Sequence, residues 1–466
     1  MMIRIAAICV VFLTAFGASA EHFRVGYAKR DITPEKPTPM WGYGARHDVL
    51  STGVRDPLYA KAIVIDTEEG KIALVGLDIG RAPTAPMMEQ IKADVLEQAG
   101  VELVMIVGSH THHGPVIELL DEEGMGKGKF DDAVAYAQSL PGLITAAIVE
   151  AAETAQDARI GWGSRYVPMN RNRHSKIEPK PVDDELSVLR FDDLDGNPIV
   201  LAVNFAAHPT NLPAELLEFS AEWPGEMMNS VEERMGVPCV FLQGACGDLS
   251  CNTTEDTRTI DLFGAALADH VIAIAEEIET GAPATPSVQG RYDSFTTKTR
   301  VDFTNPLVPL MFKQGFFPEL GEAFLPEVAN NEITVLLTTA LVNLELAMVG
   351  GSGEFFADHA IRLKARSRAD KTLFFGYCNG HHMYFPTIEG AAEGGYGADP
   401  TVSWVELGTG ERMMDTALIH IYRMLGAYDP GMIPQPAGIL GSEMPDSALP
   451  DGKACGEECS GCELSK

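Results

Sequence analysis

Short apolar runs alternate along this chain with longer stretches in which apolar side chains recur at helical intervals. Residues 61–65 and 72–77 are rich in aliphatic side chains, and the polar turn Glu68-Glu69-Gly70 lies between them. That pattern predicts two paired strands. Residues 86–99 place Met87, Ile91 and Val95 on one helical face. Residues 104–107, 200–205 and 240–243 predict short buried strands, and residues 142–155 and 261–279 predict helices. This alternation predicts an α/β fold. Each of the three buried strands runs into a polar loop: Ser109-His110-Thr111-His112-His113-Gly114-Pro115, then Ala207-His208-Pro209, then Gly244-Ala245-Cys246-Gly247-Asp248. Loops at such strand ends are where α/β proteins place their chemistry.

The two ends of the chain depart from this pattern. Arg4, an apolar run from Ile5 to Phe16 and the small residues Gly17-Ala18-Ser19-Ala20 predict a secretory signal peptide over residues 1–20. The expected location is therefore secreted or periplasmic. From Ala427 the chain turns rich in Pro, Gly and Ser, and residues 429–466 are expected to form a loose tail. That leaves residues 21–428 as the folded domain. Beyond the leader lie Cys239, Cys246, Cys251, Cys378, Cys455, Cys459 and Cys462. This odd count leaves at least one thiol without an internal partner. The last three suit a tail disulfide or an adventitious metal site.

Charge narrows the partners. The chain has 35 Lys and Arg against 66 Asp and Glu, a formal charge of −31. Such a surface repels nucleic acid and anionic headgroups. No nucleic-acid partner and no stable protein partner is expected.

His110 and His112 lie two residues apart after a buried strand, and on an extended backbone such a pair faces one side. Two imidazoles so placed suit metal binding or proton transfer, although a surface pair or a satisfied core pair would read the same way. His208 is a second strand-end histidine. A catalytic zinc site needs three or four N, O or S ligands with a position left open, and Glu354, after Gly350-Gly351-Ser352-Gly353, offers a carboxylate. A helix N-terminal charge is the plainer reading of Glu354 taken alone.

Six motifs in order resemble the neutral/alkaline non-lysosomal ceramidase family: His110-Thr111-His112-x-Gly114-Pro115, Asn170-Arg171, Asn204-Phe205-x-x-His208-Pro209-Thr210, Gly247-Asp248-Leu249-Ser250-x-Asn252, Gly353-Glu354-Phe355, and Tyr384-Phe385-Pro386-Thr387 with Tyr396 following. The opening Val25-Gly26-Tyr27-Ala28-Lys29-Arg30-Asp31 is similar to the family's first strand. The resemblance implies stacked, twisted mixed β-sheets flanked by helices, with one zinc ion at the strand ends. It implies His110, His208, Glu354 and Tyr384 as zinc ligands. His112, Arg171, Ser250 and Tyr396 are implied as catalytic residues, with Arg173 a rival to Arg171 and Ser250 read as a positioning residue rather than a nucleophile. His113, His381 and His382 receive no role and are expected to be exposed or structural.

The implied reaction is hydrolysis of the N-acyl bond of ceramide or a ceramide-like lipid, reached at a membrane or micelle surface. A related zinc amidase or esterase acting on another N-acyl compound is one alternative. An inactive secreted binding protein is another. Cys251 stands where the family usually has proline, and the C-terminal β-sandwich of better-known members is not expected here. Residues 305–328 match no family motif. They carry Leu310, Met311, Phe312, Phe316, Phe317, Phe324 and Leu325, and part of this segment is expected to form an apolar rim or lid over the zinc cleft.

Overall fold

In a computed structural model, residues 22–428 are described. The expected signal peptide and the tail with Cys455, Cys459 and Cys462 lie outside the described residues. One continuous eight-stranded ladder forms the centre, folded over into two four-stranded mixed sheets. The first runs Phe23–Asp31, Tyr59–Thr67, Gly70–Leu77 and Leu103–Gly108, the second Gln156–Tyr166, Glu185–Asp193, Pro198–Phe205 and Cys239–Gln243. They join at one corner, where Arg24 pairs with Asp157 and Val25 with Gln156. In each sheet three antiparallel strands are followed by a crossover helix and a final parallel strand.

Side-chain alternation explains the layering. Ile63 and Ile65 point into a core shared with Leu189, Phe191, Val200 and Ala202 of the second sheet. Ala62 and Val64, on the other face of the same strand, pack under the helices Ala85–Ala99 and Asp131–Glu153. In the second sheet Leu201, Val203 and Phe205 meet the helices Glu222–Met235 and Ile260–Glu277. The strands are thus buried on both faces, which is why they read as continuous apolar runs. Helices lie outside and two sheets lie inside, as the sequence implied. The helix expected from residue 142 begins at Asp131 and carries Pro141 within it.

A third sheet was not anticipated. Val288–Lys298, Glu332–Val342, Leu346–Gly351 and Lys371–Phe375 form it. One face joins the shared core through Ala340, Val342, Met348 and Phe375, and the other packs on the helices Ala357–Arg366 and Thr409–Met424.

Glu185 of the second sheet pins this layer in place, bonding Lys371 and, at 3.1 Å, Lys364. Burial opposes ionisation of Glu185, but Lys364 and Lys371 outweigh it and hold the carboxyl at about 2. Its folded value is depressed, so the stabilisation is present above the unfolded value of about 4.3 and is lost as pH falls towards 2. Melting curves at pH 7 and pH 2.5 should therefore converge for Glu185→Gln and wild type at the acid end. An equal gap at both pH values would assign the effect to packing.

Candidate metal centre

The strand ends of the two stacked sheets meet. His110 follows Leu103–Gly108 and His208 follows Pro198–Phe205, and their Nε2 atoms lie 3.0 Å apart. Glu354 comes from the third layer. It sits in the short strand Glu354–Phe355, paired in parallel register with Tyr384–Phe385, so that Glu354 stands beside Tyr384. Its Oε2 lies 3.4 Å from His110 Nε2 and 3.3 Å from His208 Nε2. All three side chains are buried.

Hydrogen bonding fixes the protonation of both rings. His110 Nδ1 faces the Gly80 carbonyl at 2.9 Å, and His208 Nδ1 faces the Cys246 carbonyl at 2.7 Å. A carbonyl only accepts, so each Nδ1 carries a proton and each Nε2 points into the space between the two rings and Glu354. Two imidazole nitrogens and a carboxylate oxygen thus converge in a buried space, a donor set of the kind that zinc takes. A proton is poorly held there: burial, then the charge of Arg173, pushes His208 down to about 3. A tetrahedral zinc with bonds of about 2.0–2.1 Å sets its ligand atoms about 3.3 Å apart. The separations of 3.0–3.4 Å fit that ion.

The other expected residues are placed as follows. His112 Nε2 lies 3.3 Å from His110 Nε2, and its ring packs edge-on against Tyr43 and Trp41. Its Nδ1 has no partner among the described residues. Burial, then the neighbouring imidazoles, holds His112 well below its ordinary pKa and therefore neutral. The Tyr384 hydroxyl sits 3.3 Å from Arg173 Nη2, and burial, then Glu354, raises its pKa well above the ordinary value. Tyr396 lines the same cleft, its ring centroid 5.5 Å from that of Tyr384.

Arg171 is not brought into the site. It is the middle residue of the strand Asn170–Asn172, where alternation turns Asn170 and Asn172 inward and Arg171 out to solvent. The guanidinium at the centre belongs to Arg173, whose Nη2 reaches His208 Nε2 and the Gly247 carbonyl, each at 3.0 Å. Ser250 forms a β-bridge with His208, but its Oγ is buried without a hydrogen-bond partner among the described residues.

Two residues without an expected role matter here. His381 is buried, and its Nε2 lies 3.3 Å from Glu354 Oε1. Tyr377 stacks on His110 with centroids 4.1 Å apart and donates to Glu354 Oε2 at 3.4 Å. Both follow the strand Lys371–Phe375, where Tyr377, Asn379 and Met383 hold positive φ angles. Such a looping segment has no periodicity to announce it. His113 is structural, its Nε2 accepting from Arg46 at 2.7 Å. His382 is tied to the Ser352 hydroxyl at 2.9 Å.

A cleft of about 460 Å³ opens over the centre. His110, His112, Glu354, His381 and Tyr384 line its floor, and Val308, Met311, Phe312, Phe316 and Phe324 line an apolar wall. That wall is the unmatched segment, folded as the helices Leu307–Gly315 and Pro318–Phe324. Phe316 stacks on Phe312 at 4.9 Å, whereas Phe317 is 2% exposed and packs on Phe130 with Val116 and Val134. The segment is thus part cleft wall and part core.

Comparisons with known proteins agree with this arrangement. The crystal structure of neutral ceramidase from Pseudomonas aeruginosa superposes with a TM-score of 0.69 at 19% identity, covering 87% of this chain and 75% of that one. A ceramidase complexed with C2 gives 0.68 at the same identity, covering 87% and 76%. These likenesses show the fold. Neutral ceramidase A of Dictyostelium discoideum is 27% identical over 241 residues, 44% of this chain and 32% of that protein. Neutral ceramidase 3 of Arabidopsis thaliana is 29% identical over 201 residues, 39% of this chain and 27% of that protein. The matched part of the chain thus spans about a third or less of either relative's length. Residues 23–259, just over half of the sequence, match the family model for the N-terminal part of the neutral/alkaline non-lysosomal ceramidases, and the chain belongs to that family.

Proposed function

We propose that this chain is a secreted or periplasmic zinc-dependent amidohydrolase that cleaves the N-acyl bond of ceramide or a ceramide-like lipid, releasing a sphingoid base and a fatty acid. The observation that carries the reading is the convergence of His110, His208 and Glu354 at the floor of an apolar cleft. These three, with Tyr384, would hold the ion. Zinc bound there supplies Lewis acidity and an activated water at neutral pH.

The protein's own groups do the rest. His112, neutral and lining the cleft, takes a proton from the attacking water and delivers it to the leaving amine. The Tyr396 hydroxyl faces the same cleft and donates to the charge that develops on the carbonyl oxygen. Arg173, beside His208 and Tyr384, places a fixed positive charge at the edge of the site. The phenylalanine wall accepts the acyl chain and excludes water. Leu307, Leu310 and Met311, exposed on the helix that forms this wall, suit contact with the lipid surface that presents the substrate.

Release of fatty acid from ceramide by purified protein tests the reading. A chelator should abolish it and zinc should restore it. Zinc-loaded protein that releases no fatty acid from any N-acyl lipid would overturn it.

The cleft wall gives a separate prediction. Phe316→Ser should raise the KM for a long-chain amide in micelles several-fold and leave a short-chain soluble amide and the melting temperature nearly unchanged. Phe317→Ser removes a core side chain instead and should cost about 3–5 kcal/mol of stability. Equal melting temperatures for the two variants would contradict the division of the segment.

A further inference from the structure

The cleft lining also carries two charges. Arg81 and Glu118 line the cleft although they are only 3% and 8% exposed. Arg81 Nη1 donates to Glu118 Oε1 at 3.0 Å, and the same oxygen accepts from Trp41 Nε1 at 3.1 Å. Glu118 Oε2 accepts from the Ile117 amide at 2.9 Å, so the carboxylate is occupied at both oxygens. Arg81 is not. Its Nε donates to the Ala82 carbonyl at 3.1 Å, and its Nη2 has no acceptor among the described residues.

A buried ion pair of this kind adds little net stability. A buried ion pair is often replaced by apolar residues at no cost, because its attraction only offsets the desolvation of its charges. Its place in the fold points to a ligand. Arg81 follows Gly80, whose carbonyl orients His110. A Cβ at Gly80 would fall 2.1 Å from the Trp41 ring, so glycine lets the indole lie flat between this pair and the histidines. Trp41 is 5.2 Å from the His110 ring on one side and bonded to Glu118 on the other. The free donor is therefore one side chain away from the reacting centre.

Local charge defines what it takes. Glu118 already neutralises Arg81, and Glu327 adds a further carboxylate nearby: burial raises its pKa, Arg81 opposes the rise and Glu118 adds to it. No net positive charge remains for an anionic group. We propose that Arg81, held by Glu118 and Trp41, is a specificity-determining residue that donates to a neutral hydroxyl on the amine portion of the substrate. The pair thereby selects N-acyl amino alcohols over amides without a hydroxyl and over those with a carboxylate or phosphate. This rests on the N-acyl hydrolase reading, and it assigns the polar end of the substrate to a particular wall.

Calorimetry on the zinc-loaded protein tests it without relying on turnover. The ligands are a long-chain amino alcohol and the deoxy amine of equal chain length. Wild type should bind the hydroxylated chain about 10–100-fold more tightly, the worth of one hydrogen bond to a charged donor. Arg81→Met with Glu118→Leu removes both charges together and should bring the two dissociation constants within about two-fold. Arg81→Lys keeps a cation for Glu118 but lacks the forked donors, and should also lose the preference. A wild type without preference, or variants that keep it in full, would overturn the proposal. If the preference holds but no amide is hydrolysed, the subsite stands and the hydrolase reading falls.

Discussion

His208→Ala should purify without zinc and without amidase activity, and its melting temperature should no longer respond to added zinc. In wild type the metal binds the folded state alone, so zinc at about 1,000 times its dissociation constant should add about 4 kcal/mol of stability. The variant should gain almost none of this. The metal-free proteins sharpen the test. His208 Nδ1 bonds the Cys246 carbonyl at 2.7 Å and its Nε2 lies 3.0 Å from Arg173 Nη2, so the ring also contributes to the fold without the ion. Metal-free His208→Ala should melt below metal-free wild type, and the gap should widen when zinc is added. Full zinc content in the variant, measured by elemental analysis, would show that the ion is held elsewhere.

The same geometry explains which parts of the site were legible in the sequence. His110 and His208 end apolar strands buried on both faces, and such strands stand out as unbroken aliphatic runs. The strand predicted at 104–107 is observed at Leu103–Gly108, and the helix predicted at 86–99 at Ala85–Ala99. Glu354 and Tyr384 carry no such signal. They are brought together by a parallel pairing of two residues each, far too short for periodicity, and only their motifs marked them. Arg171 and Arg173 show a further limit. Residues two apart on an extended strand share a face, and the turn that follows Asn172 breaks that rule: Arg171 stays on the outer face while the Arg173 amide bonds the Asp248 carbonyl and its side chain turns inward. His381 was invisible for the converse reason. It sits in a loop with successive positive φ angles, where neither helical nor strand spacing applies. In the third sheet the outer strand Val288–Lys298 is polar on its exposed face and lacks a compact aliphatic run, whereas Glu332–Val342 and Leu346–Gly351 carry aliphatic runs that were legible and were not read as strands.

His112→Ala separates ligand from catalyst and should lower kcat by about 100-fold or more, the usual cost of losing an acid–base group or a transition-state donor, with zinc content near one per chain. The structure leaves a real contest here. His110, His112 and His208 can form a three-histidine group, and His110, His381 and Glu354 a group of two histidines and a carboxylate. Three features favour a catalytic His112. Neither ring nitrogen is tethered to a carbonyl, whereas His110 and His208 are each locked by one. The ring lines the open cleft and is the only one of the three that is not fully buried. It is steered by packing, with Tyr43 and Trp41 at its edges and Gly42 beneath, where φ is +100° and an added Cβ would lie 2.4 Å from the imidazole. A ligand needs one fixed lone pair, while a proton carrier needs a ring that is oriented yet free at its nitrogens. Glu354→Gln makes the comparison complete. It should lose zinc while His112→Ala keeps it, and the reverse pattern would move the ion from the carboxylate to the three histidines.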